Sequence, residues 1–419
     1  MTSRARVHDH DSGEGLLALE DARQRILPRI LPLEPQRRLL PEAHGCVAAG
    51  DVPAPTNLPP FASSAMDGFA VRSADVAEAT PEGPAVLRIA GRVRMGLRPD
   101  ATVGPGEAAA IPTGGPIPGG ADSVVPIEAS VVEGDRVLVL QPSPPAKHVR
   151  PAGEDVRAGD ALIPEGRRLL APELGLLASA GIAEVDVLPP ARVLVVSTGD
   201  ELVAPGEPAG YGQLHDANAF TLFGQIREAG AVPHAAGIVP DQPEALMDAL
   251  LSNLDRADVL VSSGGVSVGE RDPVKAAFRG RGEVEFLEVA IQPGKPQAFG
   301  FVEGRPYFGL PGNPVSVFVS FEVFVRPALM TMMGRPPFRP EISATLETDV
   351  TGPEGKVQFA RVRVRRDGDR WLAVSTGSRQ SNLLATVARA DGLAIIPAGV
   401  ATLAAGESCR VMLFREEVW

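Results

Sequence analysis

Between residues 191 and 334, short and almost continuously apolar runs alternate with longer stretches whose apolar residues recur every three or four positions. ARVLVVS, VPHAAGIV, ADVLVSS and RPYFGL read as strands. AFTLFGQIREAG, QPEALMDALLSNL, a stretch near 273–280 and residues 314–333 read as helices, and a strand pair falls around 284–302. A strand that is apolar along its whole length must be covered on both faces, so this block predicts a parallel sheet between two helical layers. In such sheets ligands bind beyond the carboxyl ends of the strands. The loops that follow those ends are therefore the first places to look for chemistry.

The rest of the chain follows other patterns. Residues 16–40 show helical spacing through Leu16, Leu19, Ala22 and Ile26, ending near Pro28. From 45 to 146 short β-like pieces alternate with Pro-Gly and Gly-Asp turns, and 141–153 reads as a stiff linker. Residues 336–419 return to a β pattern, in KVQFARVRVRRDGDRWLAVS, GLAIIP and CRVMLF. A chain of 419 residues with 45 glycines and 41 prolines fits several domains rich in tight turns.

Composition narrows the function classes. A net charge of −12 argues against nucleic acid as the main partner, because phosphate backbones select clustered Lys and Arg. Cys46 and Cys409 are the only cysteines, so no disulfide framework is expected and a cytoplasmic setting is natural. The opening MTSRARVHDHDSGEG lacks the apolar core of a secretory signal, and His8 and His10 read as part of a polar tail. The apolar run from Val315 to Met333 is broken by Glu322, Arg326 and Pro327, which predicts a core helix and no membrane association.

Three Gly-rich segments sit where that sheet should end. In DVLVSSGGVSVGERDP, Ser263, Gly264 and Gly265 let backbone amides approach an anion, and Asp272 offers a carboxylate to a hard cation. In FGLPGNPVSVF, Gly312 allows close approach, Asn313 is placed to cap a helix and Pro314 fits its first turn. In IQPGKPQAFGF, Lys295 stands out as one of only four lysines among 40 basic residues, in a rigid turn that suits a compact ammonium. Asp200, Glu201, Asp216 and Asp241 follow other strand ends, where helix capping is the plainer reading and Mg²⁺ bridging to phosphate the functional one. The chain has no CxxC, HExxH, GxSxG or P-loop pattern and no GxGxxG after a strand.

Nine stretches in order resemble the MoeA family, whose eukaryotic relative is the E domain of gephyrin. They are PPFASSAMDGFAV, IPTGGPIPGGADSVVPIE, RPAGEDVRAGD, ELGLLASAGI, VSTGDEL, HDANAF, SSGGVSVGERD, QPGKPQAFG and LPGNPVSV. The resemblance implies a multidomain α/β plus β chain. Domain I takes residues 16–44 and 147–185, and the inserted β-rich domain II takes 45–146. A MogA-like three-layer α/β domain III spans 186–335, and a C-terminal β barrel spans 336–419. It implies molybdopterin molybdenumtransferase activity: molybdate and adenylylated molybdopterin give molybdenum cofactor and AMP, with Mg²⁺. It also implies a homodimer, with a molybdopterin adenylyltransferase and acceptor molybdoenzymes as further partners.

By motif position the resemblance assigns Asp67, Asp216, Asp272 and Lys295 to catalysis. Asp200, Glu201 and Asp272 go to the metal. Ser263, Gly264, Gly265, Ser267, Gly294, Pro311, Gly312, Asn313, Pro314, Asp155 and Asp241 go to the substrate. The chain departs from many relatives in having Gln292 where they have Lys or Arg, which removes one anion contact, and Pro172-Glu173 where they have Ser-Glu. A molybdopterin adenylyltransferase would lack everything before 186 and after 336. A gephyrin-like scaffold without catalysis would carry a fused module and a long linker.

Overall fold

The computed structural model describes residues 15–100, 102–266, 273–278, 283–377 and 379–415. Of these, the residues up to Gln36, Gly45–Val47 and those from Leu188 onward form one unit. Arg37–His44 and Ala48–Val187 form a second.

The first unit is built on six strands: β1 (Arg192–Thr198), β2 (Val232–Val239), β3 (Val259–Ser263), β4 (Glu283–Glu288), β5 (Pro296–Val302) and β6 (Arg305–Leu310). Their spatial order is β2-β1-β3-β6-β5-β4. The first four in that order run parallel, β5 runs antiparallel to them, and β4 pairs antiparallel with β5 and so regains their direction. Alternation along the strands divides the core. Val193, Val195, Val259 and Val261 meet helices α1 (Leu19–Ile26), α2 (Asn218–Glu228) and α5 (Pro314–Met332) on one face. Leu194, Val196, Leu260 and Tyr307 meet α3 (Pro243–Leu251) and α4 (Pro273–Phe278) on the other. This is the three-layer arrangement that the continuous apolar strands require.

Helix α5 has the length and apolar character of a membrane span, yet 94% of it is buried inside the protein. Its Glu322 is wholly buried within a π turn at Phe321–Val325. The carboxylate accepts hydrogen bonds from Arg339 Nε at 2.6 Å and Gln225 Nε2 at 2.9 Å. A buried charge persists only when paired in this way.

After α5, Glu341–Leu346, Val357–Asp367, Arg370–Ser375, Gly392–Ile396 and Ser408–Leu413 close into a five-stranded barrel. Closure follows because Val357–Asp367 pairs on both edges, around a core containing Leu346, Val362, Ala373 and Val411. The short strand Ile291–Gln292 joins it in parallel register, with Ile291 opposite Val357.

The second unit carries its own six-stranded sheet. The strands lie in the order Ser123–Pro126, Gly68–Val71, Glu107–Ile111, Ala85–Arg92, Arg136–Val139, Ser130–Glu133. Phe69, Leu87, Val125 and Val137 fill its interior. The helix Ala171–Ser179 is started by Glu173, whose carboxylate accepts the Leu170 N–H at 3.0 Å and the Arg167 Nε–H at 2.8 Å.

At the amino edge of the first sheet, β1 and β3 are pinned together. The Arg192 guanidinium reaches Asp258 through Nη2 at 2.8 Å and Nε at 3.1 Å, and the Arg192 amide donates to the same carboxylate at 2.8 Å. Burial alone would raise the Asp258 pKa, but the bonds from Arg192 outweigh it and hold the carboxyl below its ordinary value. A depressed acid contributes stability above its unfolded pKa, near ~3.9, and loses it as pH falls through the folded pKa. Asp258→Asn should therefore cost about 2 kcal/mol at neutral pH. In urea unfolding that deficit should narrow below about pH 4; a deficit independent of pH would mean that ionisation contributes nothing.

Candidate functional site

β1, β3 and β6 end level with one another. Ser197 lies in register with Ser263, and Ser263 with Leu310. Residues in register share a face, so the two serines point the same way as Val195 and Val261, toward α2 and α5. Both are 1% exposed, and neither hydroxyl has a hydrogen-bond partner. At the start of α2, Asn218 donates through Nδ2 to the Gly312 carbonyl at 2.8 Å, while its buried Oδ1 is also without a partner. Leaving a buried polar atom unpaired costs about 1–3 kcal/mol. Two of these atoms stand at the carboxyl ends of β1 and β3 and the third at the start of α2, and all three are enclosed by protein.

The backbone there is open for a structural reason. Gly264 has φ +99°, and a Cβ on it would stand 2.4 Å from the Thr198 carbonyl oxygen and 2.7 Å from Thr198 Oγ1. Only glycine lets the loop after β3 pass so close to the end of β1. The Gly264 amide donates to Leu310 O at 3.1 Å, which ties the loop to β6. A Cβ on Gly312 would come within 3.8 Å of Gly264 Cα, so the loops after β3 and β6 run side by side. Helix α5 starts directly afterwards with Pro314, which has no N–H, and Val315, whose amide donates to Ser381 O at 3.0 Å, so its dipole is what favours an anion there.

Asn313 occupies the N-cap position of α5, but its side chain makes no capping bond, contrary to the sequence expectation. It lines a neighbouring cavity of about 480 Å³ instead. The same cavity is bordered by Gly294, Lys295, Ser316, Lys356, Arg379 and Ser381, and no carboxylate lines it among the described residues. Lys295 Nζ is 3.0 Å from Glu288 Oε1, with both side chains more than a third exposed. An exposed pair of this kind is worth at most about 1 kcal/mol, so it leaves the ammonium available to a more highly charged anion. The α5 amino terminus thus stands between a glycine-lined cradle and a cationic cavity.

The expected acidic residues divide. Asp200 and Glu201 are exposed beyond β1, and the Asp241 amide donates to Asp200 Oδ1 at 3.2 Å. Asp216 is 4% exposed and, one position before the N-cap Ala217, accepts the Ala219 N–H at 3.1 Å, so it satisfies an amide in the first turn of α2. Asp241 leaves the N-cap of α3 to Gln242. Among the described residues, no three His, Cys, Asp or Glu side chains are placed to hold a metal ion. Ser267 and Asp272 lie outside the described residues. In the second unit, exposed Asp67 accepts the Thr113 N–H at 2.8 Å, and the amide of exposed Asp155 donates to Leu58 O at 3.0 Å.

The structure therefore brings Ser263, Gly264 and Gly265 beside Pro311, Gly312 and the start of α5 at Pro314. It gathers Gly294, Lys295 and Asn313 around the second cavity. Ser197, Lys356, Arg379 and Ser381 were not picked out from sequence. Lys356 could have been, as another of the four lysines and in a Gly-Lys turn. Arg379 carries no such signal in an arginine-rich chain, and Ser197 acquires meaning only through its register with Ser263.

A mostly parallel sheet with glycine-lined loops at its carboxyl edge and a barrel beside it defines a multidomain α/β plus β protein. Three family models match in succession: the MoeA N-terminal region (domain I and II) over residues 17–181, the probable molybdopterin binding domain over 194–331, and the MoeA C-terminal region (domain IV) over 343–414. Molybdopterin molybdenumtransferase 2 of Mycobacterium tuberculosis is 44% identical over 382 residues, covering 89% of this chain and 93% of that one. Molybdopterin molybdenumtransferase of Haemophilus influenzae is 34% identical over 405 residues, covering 95% and 99%. The crystal structure of the molybdopterin biosynthesis MoeA protein from Pyrococcus horikosii superposes with a TM-score of 0.83 at 33% identity, covering 96% and 100%. The chain belongs to the MoeA family.

The unpaired hydroxyls lead to a stability test. Removing a buried but unsatisfied group relieves a desolvation cost, so Ser263→Ala and Ser197→Ala should leave the unliganded protein unchanged or up to about 1 kcal/mol more stable. Thermal unfolding checks this; a loss of about 2 kcal/mol in either variant would show the hydroxyl already bonded in the folded protein.

Proposed function

We propose that the chain is a molybdopterin molybdenumtransferase, which joins molybdate to adenylylated molybdopterin and releases AMP. The carrying observation is the cationic cavity beside the cradle. Lys295, Lys356 and Arg379 line it together with Ser316 and Ser381, and no carboxylate lines it among the described residues. In a protein of net charge −12, such a pocket is built for a small oxyanion. Here Gln292 contributes a neutral amide to the wall, and Lys356 and Arg379 from the barrel supply charge from that side. Asn313 and Ser316 add hydrogen-bond donors from α5.

The pyrophosphate of the second substrate suits the cradle. The amino-end dipole of α5 and the close glycine backbones after β3 and β6, which leave space free of side chains, favour its charge there. Fixed dipoles stabilise charge that grows as a phosphoanhydride breaks, with little reorganisation. Lys295 stands at the edge of the cationic cavity, where it holds the oxyanion and offsets the charge that the two anions bring together. Asp216 keeps the α2 amino end in position through its bond to Ala219.

Mg²⁺ belongs to this proposal as an ion carried in on substrate phosphates. Asp200 and Glu201 present exposed, hard carboxylate oxygens, a donor set that suits a magnesium ion sharing its shell with phosphate and water. When bound, the ion would neutralise phosphate charge. The proposal also includes a homodimer: light scattering at micromolar concentration should give twice the 43.8 kDa chain mass, and a monomer mass would reject it.

AMP release from adenylylated molybdopterin tests the activity. Release should depend on added molybdate, and Lys356→Ala should raise the KM for molybdate about tenfold through loss of one cation. AMP release that ignores molybdate would refute the transferase reading. Asp216→Ser separates cap from chemistry, because serine caps a helix but carries no charge. Near wild-type turnover in that variant is the expected outcome of the bond to Ala219; a large loss without loss of stability would assign the carboxylate to the reaction.

A further inference from the structure

We propose that Gln297 is the positioning residue that sets the oxyanion pocket, by clamping the turn that carries Lys295 onto helix α5. The inference rests on the reading of that pocket as an oxyanion site and adds the device that fixes its geometry. Gln297 lies at the start of β5, is 4% exposed and does not line the cavity itself. Its Nε2 donates twice, to the Gly294 carbonyl at 2.5 Å and to Ser320 Oγ at 2.6 Å. Ser320 is wholly buried on α5, one turn beyond Ser316, which does line the cavity. One amide group therefore links the Pro293-Gly294-Lys295 turn to the helix whose amino end forms the opposite wall.

The fit is close enough to be specific. Gly294 has φ +103°, and a Cβ there would stand 2.8 Å from Ser320 Oγ. The turn can approach the helix this closely only because residue 294 has no side chain. Two further bonds hold the same stretch: Val289 N–H donates to Lys295 O at 2.8 Å, and Val357 N–H in the barrel donates to Ala290 O at 2.9 Å. These fix the turn toward the sheet and toward the barrel. The Gln297 amide is the side-chain contact that fixes it toward α5. It therefore governs the spacing between Lys295 and the donors Asn313 and Ser316. A small tetrahedral anion is sensitive to that spacing, because charge-assisted bonds weaken quickly with misplacement.

The variant Gln297→Met keeps the side-chain length and apolar stem but removes both donors. Two measurements on the full-length protein test the proposal. Hydrogen exchange in the segment 287–297 should rise about tenfold or more in Gln297→Met, with exchange in β1 and β3 unchanged. Steady-state assays should show the KM for molybdate raised about tenfold, with kcat and the KM for adenylylated molybdopterin changed less than about twofold. Ser320→Ala, which removes one of the two acceptors, should shift both readouts the same way by a smaller factor. Unchanged exchange and unchanged molybdate KM in a folded Gln297→Met protein would overturn the proposal. Should that variant fail to fold, the same null result in Ser320→Ala would overturn it. Raised exchange in a protein whose wild type binds no molybdate would uphold the clamp and reject the oxyanion reading instead.

Discussion

The site depends on how closely the ends of neighbouring strands approach one another. Gly264 passes within 2.4 Å, measured to a notional Cβ, of the Thr198 carbonyl, and its amide bonds to Leu310. That contact draws the ends of β1, β3 and β6 together and leaves no room for side chains. Level strand ends then put Ser197 and Ser263 side by side, and they bring the loop into α5 beside the loop after β3. The cradle follows from the register of a parallel sheet, whose stability comes from the apolar strands behind it.

Electrostatics adds the second half of the site. An acidic chain binds anions only where positive groups are concentrated and carboxylates are kept away. The first unit has the α5 amino end on one side, and Lys295, Lys356 and Arg379 on the other. Glu322 shows the contrasting solution within the same helix. Its carboxylate is fully buried and satisfied by Arg339 and Gln225, so it contributes to structure and leaves no charge to interfere at the ligand end.

Much of this was legible in the sequence. Continuous apolar strands with amphipathic helices between them specify the three-layer sheet, and the broken apolar run with Glu322 and Arg326 marks α5 as a core helix. The Gly-rich loops pointed to the cradle because glycine has a physical use where backbones touch. Side-chain roles were less legible where they depend on neighbours distant in sequence. Asn313 reads as a cap but faces the cavity, since backbone bonds alone start the helix. Arg379, Ser381 and Lys356 belong to a barrel whose strands offer only an alternating pattern, and nothing local says that its loops reach the QPGKP turn. The parallel bridge between Ile291 and Val357 makes that connection, and such a pairing is invisible until the fold is known.

The central claim is that the α5 amino terminus serves two adjoining sites, one for phosphate and one for a tetrahedral oxyanion. Crystals of the full chain soaked with tungstate, located by its anomalous scattering, test this most directly. The account expects the metal atom inside the cavity bounded by Lys295, Lys356, Arg379 and Asn313, with occupancy lost in Lys295→Ala. Tungstate bound only elsewhere on the protein, with this cavity empty at saturating concentration, would contradict it.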